Sequence, residues 1–331
     1  MPLFQVGYRG YVGQRTLPSM RWLPITSTGL TIAWRSKLLK RLVLASFLPF
    51  LYFGWVFFLI GRVTQGDALA EPTPIDILVA SNFGPEFLLQ LQQDPTQIRT
   101  AVWSIVFARF SVNIQLLIGG LVAAIVGPPL ISSDIRSKAF LIYFSRPISR
   151  FDYLLGKLGT VASMMAVVTL LPALVLYAIS IVFSPSLDTL SHTAPVLLSV
   201  VLASLVAIIP ASLVVLTISS LTKQPRFATA AWIVLMCFGP LAHSVLQQTN
   251  GLRDSGWTFL LSLPHSVLEL QLGLYNVAGR VEATGIQTDL NGMIGSLSTD
   301  HSPWRAAIWL ACVCSFCFFT LMRRVDSPTR I

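Results

Sequence analysis

A chain of 331 residues that is 54% hydrophobic and only 11% charged, with a mean hydropathy of +0.70, is not a soluble domain; such domains carry roughly 25% charged residues. Its net charge of +9 does not point to nucleic acid, because the basic residues stand beside apolar runs and not on a polar domain. What remains is an all-α integral membrane protein.

In chain order, residues 1–41 read as a cytoplasmic segment. Within it, Leu30 to Leu42 mixes Trp34, Leu38 and Leu39 with Arg35, Lys37, Lys40 and Arg41, the pattern of a basic interfacial helix. The first apolar run begins near Leu42 after this basic stretch, and no small-residue cleavage site follows it, so it reads as a retained transmembrane helix and not a signal peptide. A bilayer core takes about 20 apolar residues as a helix. Six segments qualify, at 42–60, 105–127, 158–183, 194–219, 229–247 and 305–322. They place a transmembrane domain at 42–322, with outer loops 61–104 and 248–304, a cytoplasmic connection 128–157, and a cytoplasmic tail 323–331.

In the first outer loop, Phe87, Leu88, Leu89 and Leu91 predict a short amphipathic helix before Pro95. In the second, Trp257 to Ala278 is long enough to cross but contains Pro264, His265, Glu269, Gln271 and Asn276, each costly in hydrocarbon. It reads as one or two short helices in, or dipping into, the outer leaflet. Orientation follows from the basic residues. Seventeen Lys and Arg flank the spans on the side of the termini, against five on the other side, which also carries 11 acids. Both termini are therefore expected in the cytoplasm, with the protein in the plasma (inner) membrane.

Chemistry is sparse. No G-x-x-x-x-G-K-[ST] phosphate loop and no H-E-x-x-H occurs, and His192, His243, His265 and His301 are scattered. Cys237, Cys312, Cys314 and Cys317 fall inside apolar runs; Cys314 faces away from Cys312 on a helix, so packing outweighs a metal site. No intramembrane carboxylate pair is present, against a proton-relay transporter. An enzyme is not expected. In the second span Asn113 and Gln115 must face protein or water, either on a translocation path or in helix packing.

The connection from Gly127 to Lys157 holds the most information: G-P-P-L-I-S-S-D-I-R-S-K-A-F-L-I-Y-F-S-R-P-I-S-R-F-D-Y-L-L-G-K. Gly127, Pro128 and Pro129 are expected to end span two. Ser133 or Asp134 then caps a new helix that stops near Ser145, ahead of Pro147. On it Arg136, Phe140 and Tyr143 share one face, presenting a cation and two aromatics outward. The alternative is a passive interfacial helix.

This run resembles the cytoplasmic loop of ABC exporter permeases of the type-2 family, at Asp134, Arg136, Tyr143, Ser145, Arg146, Pro147, Ser149, Arg150, Tyr153, Gly156 and Lys157. It departs at Lys138, where the family often carries glycine. The resemblance implies a coupling helix that docks on a separate ABC ATPase subunit, with Asp134, Arg136, Phe140, Tyr143, Arg146, Pro147 and Arg150 as coupling residues. It also implies a second permease copy or sister permease. No cofactor is bound by this chain; ATP and Mg sit on the ATPase. Membrane lipids, and no nucleic acid, complete the partners. The rival readings are a non-transporting sensor or assembly partner of an ATPase, and a stand-alone secondary transporter or channel.

Overall fold

The computed structural model describes residues 20–65, 95–111, 115–140, 143, 148–184, 189–248, 258–282 and 303–326. Among these, every regular element is a helix: α1 (Leu23–Ala33), α2 (Lys37–Ser46), α3 (Leu48–Gln65), α4 (Pro95–Phe110), α5 (Leu116–Arg136), α6 (Arg150–Val168), α7 (Leu170–Val182), α8 (Thr189–Leu221), α9 (Pro225–Gln248), a 3-10 turn (Thr258–Leu261), α10 (Leu263–Tyr275), α11 (Val277–Glu282) and α12 (Pro303–Asp326). Six stretches of the described residues are long and apolar enough to cross a membrane: Lys37–Gly61, Leu116–Arg136, Arg150–Val182, Thr189–Leu221, Pro225–Leu246 and Pro303–Val325. The predicted helix at 87–91 lies outside the described residues.

Two spans are built differently from their hydropathy. The second, expected at 105–127, comprises α4 and α5, and the described residues between them, Ser111 and Gln115, are in π-helical geometry. The third breaks at Thr169 (φ −112°, ψ −61°), three residues before Pro172. That proline has no N–H to give the preceding turn, and its ring crowds the carbonyl four residues back. Gln115 Nε2 reaches the break and donates to the buried Thr169 carbonyl at 2.7 Å.

The core has two main parts. One gathers Phe53, Phe57 and Ile60 of α3, Trp103, Phe107 and Phe110 of α4, Leu176 and Tyr177 of α7, and Tyr275 of α10. Its polar groups are paired, as burial demands: Trp103 Nε1 donates to Ser180 Oγ at 3.1 Å, Ser111 Oγ meets Tyr275 Oη at 2.7 Å, and Tyr177 Oη meets Thr193 Oγ1 at 2.9 Å. The other joins Leu39, Ile131, Phe140, Tyr153, Leu216, Trp232, Leu321 and Val325. This second part lies at the end of the bundle where α2, α6 and α9 begin and α5, α8 and α12 finish; it is called the basic end below.

The N-terminal segment corrects the sequence reading. Leu30 to Leu42 is not one helix: α1 ends at Ala33, and α2 starts at Lys37 with Ser36 Oγ accepting from the Leu39 N–H. Instead of standing alone, α1 lies on α6. Thr26 Oγ1 donates to the buried Gly156 carbonyl at 3.0 Å. A Cβ on Gly156 would stand 2.7 Å from Ile25 Cβ and 3.0 Å from the Trp22 carbonyl oxygen, so only glycine lets the two backbones approach this closely.

Before the last span, the expected short helices are present as the 3-10 turn, α10 and α11. Asn276, left-handed at φ 46°, joins α10 to α11. At 13 residues α10 is ~20 Å long, short of the ~30 Å hydrocarbon thickness. It is bound to α8 by Gln271 Nε2 donating to the Ala203 carbonyl (2.9 Å) and Ser199 Oγ donating to the Leu274 carbonyl (2.8 Å).

Candidate functional site between spans two and three

The Pro128–Pro129 pair does not end span two; α5 continues unbroken to Arg136. Prolines inside a helix leave neighbouring backbone groups without partners. Here the carbonyls deprived of a donor are those of Ala124 and Ile125, four residues back, and Thr229 Oγ1 on α9 donates to that of Ala124 at 3.5 Å. One turn further on, Ser219 Oγ on α8 accepts from the N–H groups of Ile131 (3.3 Å) and Ser132 (3.0 Å) and donates to the Pro128 carbonyl (2.6 Å). Ser132 Oγ also donates to that carbonyl at 2.6 Å. The helix thus runs past the expected stop with hydroxyls from α8 and α9 bonded to its backbone.

After Arg136 the chain turns through Ser137–Ala139, with Lys138 left-handed at φ 54°. Phe140 and Tyr143 are helical, and α6 begins at Arg150 behind a capping box: Ser149 Oγ accepts from the Asp152 N–H (3.1 Å) while the Asp152 carboxylate accepts from the Ser149 N–H (3.1 Å). Arg146 and Pro147 lie outside the described residues, as does Asn113.

The left-handed residue resets the helical phase, so the shared face expected for Arg136, Phe140 and Tyr143 does not form. Arg136, on the last turn of α5, is exposed. Phe140 turns inward and is 6% exposed, its ring 5.4 Å from that of Tyr153. Tyr143 is half-buried, 5.3 Å from the same ring. Arg150 is exposed at the start of α6.

These residues enclose a charged pair. Lys157 Nζ lies 2.7 Å from Asp134 Oδ2, with the two side chains 9% and 13% exposed. Tyr153 Oη donates to the same carboxylate oxygen at 2.8 Å, and the ammonium sits 5.8 Å and 5.4 Å from the Tyr143 and Tyr153 ring centres. Burial, and then the nearby Asp134 carboxylate, raise the Tyr143 phenol above its ordinary pKa. A buried pair with this extra hydrogen bond ties the end of α5 to the start of α6. Lys157 and Tyr153 were legible only as motif positions. Their spacing of four on α6 places them on one face, but nothing local shows that Asp134 folds onto it.

Gln115 is 4% exposed, and its amide nitrogen serves the helix break at Thr169. It also borders a recess of about 20 Å³ with Gly119, Met165, Trp232, Met236 and Leu263, room for roughly one water. At the far end, the rings of His243 on α9 and His265 on α10 stack at 4.0 Å between centres, and His265 Nδ1 is 3.0 Å from Ser262 Oγ.

A family model described as ABC-2 family transporter protein matches residues 34–251, which include α2 to α9 and the charged pair. The chain belongs to the ABC-2 transporter family. It is thus the membrane-spanning permease component of an ABC transporter, a family that works with an ABC ATPase and is not generally catalytic itself. Among curated proteins, none matches the chain. The matched segment includes the whole connection from α5 to α6, with Asp134 at one side of it and Lys157 at the other.

Proposed function

We propose that this permease exports its substrate, driven by a separate ATPase subunit that binds ATP and Mg and engages the basic end. On this reading that end and both termini are cytoplasmic, the membrane is the plasma membrane, and two permeases pair across it. The observation that carries the proposal is the Asp134–Lys157–Tyr153 tie, which makes α5 and α6 one lever. A push on the connecting turn then rotates both spans as a rigid body.

The roles of the coupling residues divide by exposure. Arg136 and Arg150 are exposed and suit contact with the ATPase, together with Lys138. Asp134, Phe140 and Tyr143 hold the turn in place. Arg146 and Pro147 remain proposed contacts from the motif, and Asn113 and Gln115 a proposed border of the path. The test is co-purification of the ATPase with the detergent-solubilised permease, alongside ATP-dependent transport in vesicles. Arg136→Ala combined with Arg150→Ala should lose the partner about tenfold or more while the permease stays folded. Full retention and full transport in that variant would place the ATPase contact elsewhere.

A further inference from the structure

The elbow between α1 and α2 has an unusual surface. Arg35, Lys37, Lys40 and Arg41 are all exposed there, and no Asp or Glu occurs among the first 66 residues. None of the four has a carboxylate within ion-pair distance among the described residues. On α5 and α6, which pack against α2, the acids are engaged: Asp134 by Lys157 and Tyr153, and Asp152 by Ser149.

Exposed apolar side chains are interleaved with these cations: Ile32, Trp34, Leu38 and Leu44. The apolar surface continues without a polar break onto α3 through Leu48, Leu51, Tyr52 and Trp55. Because α2 and α3 together make the span Lys37–Gly61, that surface belongs in hydrocarbon, and the cations stand at its rim. The elbow is also held in place. Its α1 arm is fixed on α6 by the Thr26–Gly156 hydrogen bond, and Ser36 caps its α2 arm.

We propose that this elbow binds the headgroups of anionic phospholipids. Arg35, Lys37, Lys40 and Arg41 hold the phosphates, while Trp34 and Leu38 sit at the top of the acyl chains. An acidic protein would satisfy the cations but leave Ile32 (63% exposed) and Trp34 (43%), which precede the span, in water. A lipid satisfies both. Because α1 rests on the residue next to Lys157, bound lipid also braces the start of α6.

The experiment is thermal unfolding of the intact permease in neutral detergent, titrated with phosphatidylglycerol, phosphatidylcholine or inorganic phosphate. Phosphatidylglycerol should raise the midpoint, and the other two should not. In R35Q/K37Q/K40Q/R41Q the concentration of phosphatidylglycerol needed should rise about tenfold or more, with the midpoint in phosphatidylcholine unchanged. R323Q/R324Q, charges at the same end on α12, should respond as wild type. Should the fourfold variant not fold, R35Q/K37Q and K40Q/R41Q are read in the same way. An equal response in wild type and elbow variants, equal effects of the two lipids, or a matching shift with inorganic phosphate would each overturn the proposal.

Discussion

Replacing Lys157 with methionine removes the ammonium and keeps most of the side chain's volume, which isolates the charge from the packing. The carboxylate left behind is 13% exposed, so water does little to replace the lost partner. Removing one member of a buried pair typically costs about 3–5 kcal/mol. Here Tyr153 Oη still donates to Asp134 at 2.8 Å, which puts the cost near the lower end, about 3 kcal/mol. That is roughly a hundredfold in the folding equilibrium and ~5–10 °C in the unfolding midpoint. Asp134→Asn alone should cost a similar amount, because it strands the ammonium between two rings. The double variant Asp134→Asn with Lys157→Met removes both charges and should recover to within about 1 kcal/mol of wild type. Thermal unfolding of all four proteins in one detergent gives the cycle. If the single variants unfold within ~1 °C of wild type, or their costs simply add in the double, the pair does not hold α5 to α6.

Lys138→Gly should stabilise the permease by about 1 kcal/mol in the same assay, because the left-handed backbone at φ 54° suits glycine; a loss of stability would contradict that geometry. Gly156→Ala should cost about 2–3 kcal/mol and loosen α1 from α6, read as faster hydrogen exchange over Leu23–Ala33, since the new methyl group meets Ile25 and the Trp22 carbonyl. Burial first, and then the neighbouring His243, lower the His265 pKa from 6.5 to about 4, while Glu269 acts in the opposite direction. The folded state thus favours neutral His265, so its contribution is complete above pH 6.5 and is lost as pH falls toward 4. His265→Gln should flatten the decline of the unfolding midpoint between pH 6.5 and 4.5, and an unchanged slope would assign the decline to other groups.

The number of spans and the helical class follow from local composition, because a run of about 20 apolar residues has few other places to go. The short helices before the last span were legible for the complementary reason: Pro264, Glu269 and Gln271 make a crossing there too costly. What sequence could not decide is wherever a distant residue supplies what a local rule says is missing. Pro128 and Pro129 read as a stop, yet α5 runs through them, with hydroxyls of Thr229 from α9 and Ser219 from α8 bonded to its backbone. Hydropathy averages over Thr169, hiding the break in the third span, whose carbonyl accepts a hydrogen bond from Gln115. The face shared by Arg136 and Phe140 assumed a continuous helix; a single left-handed residue turned one outward and the other into the core. Asp134 and Lys157 were both visible in the motif, but their pairing exists only because α5 and α6 fold back on each other. Burial then makes that contact costly to break, where the same two residues at an exposed site would be worth little.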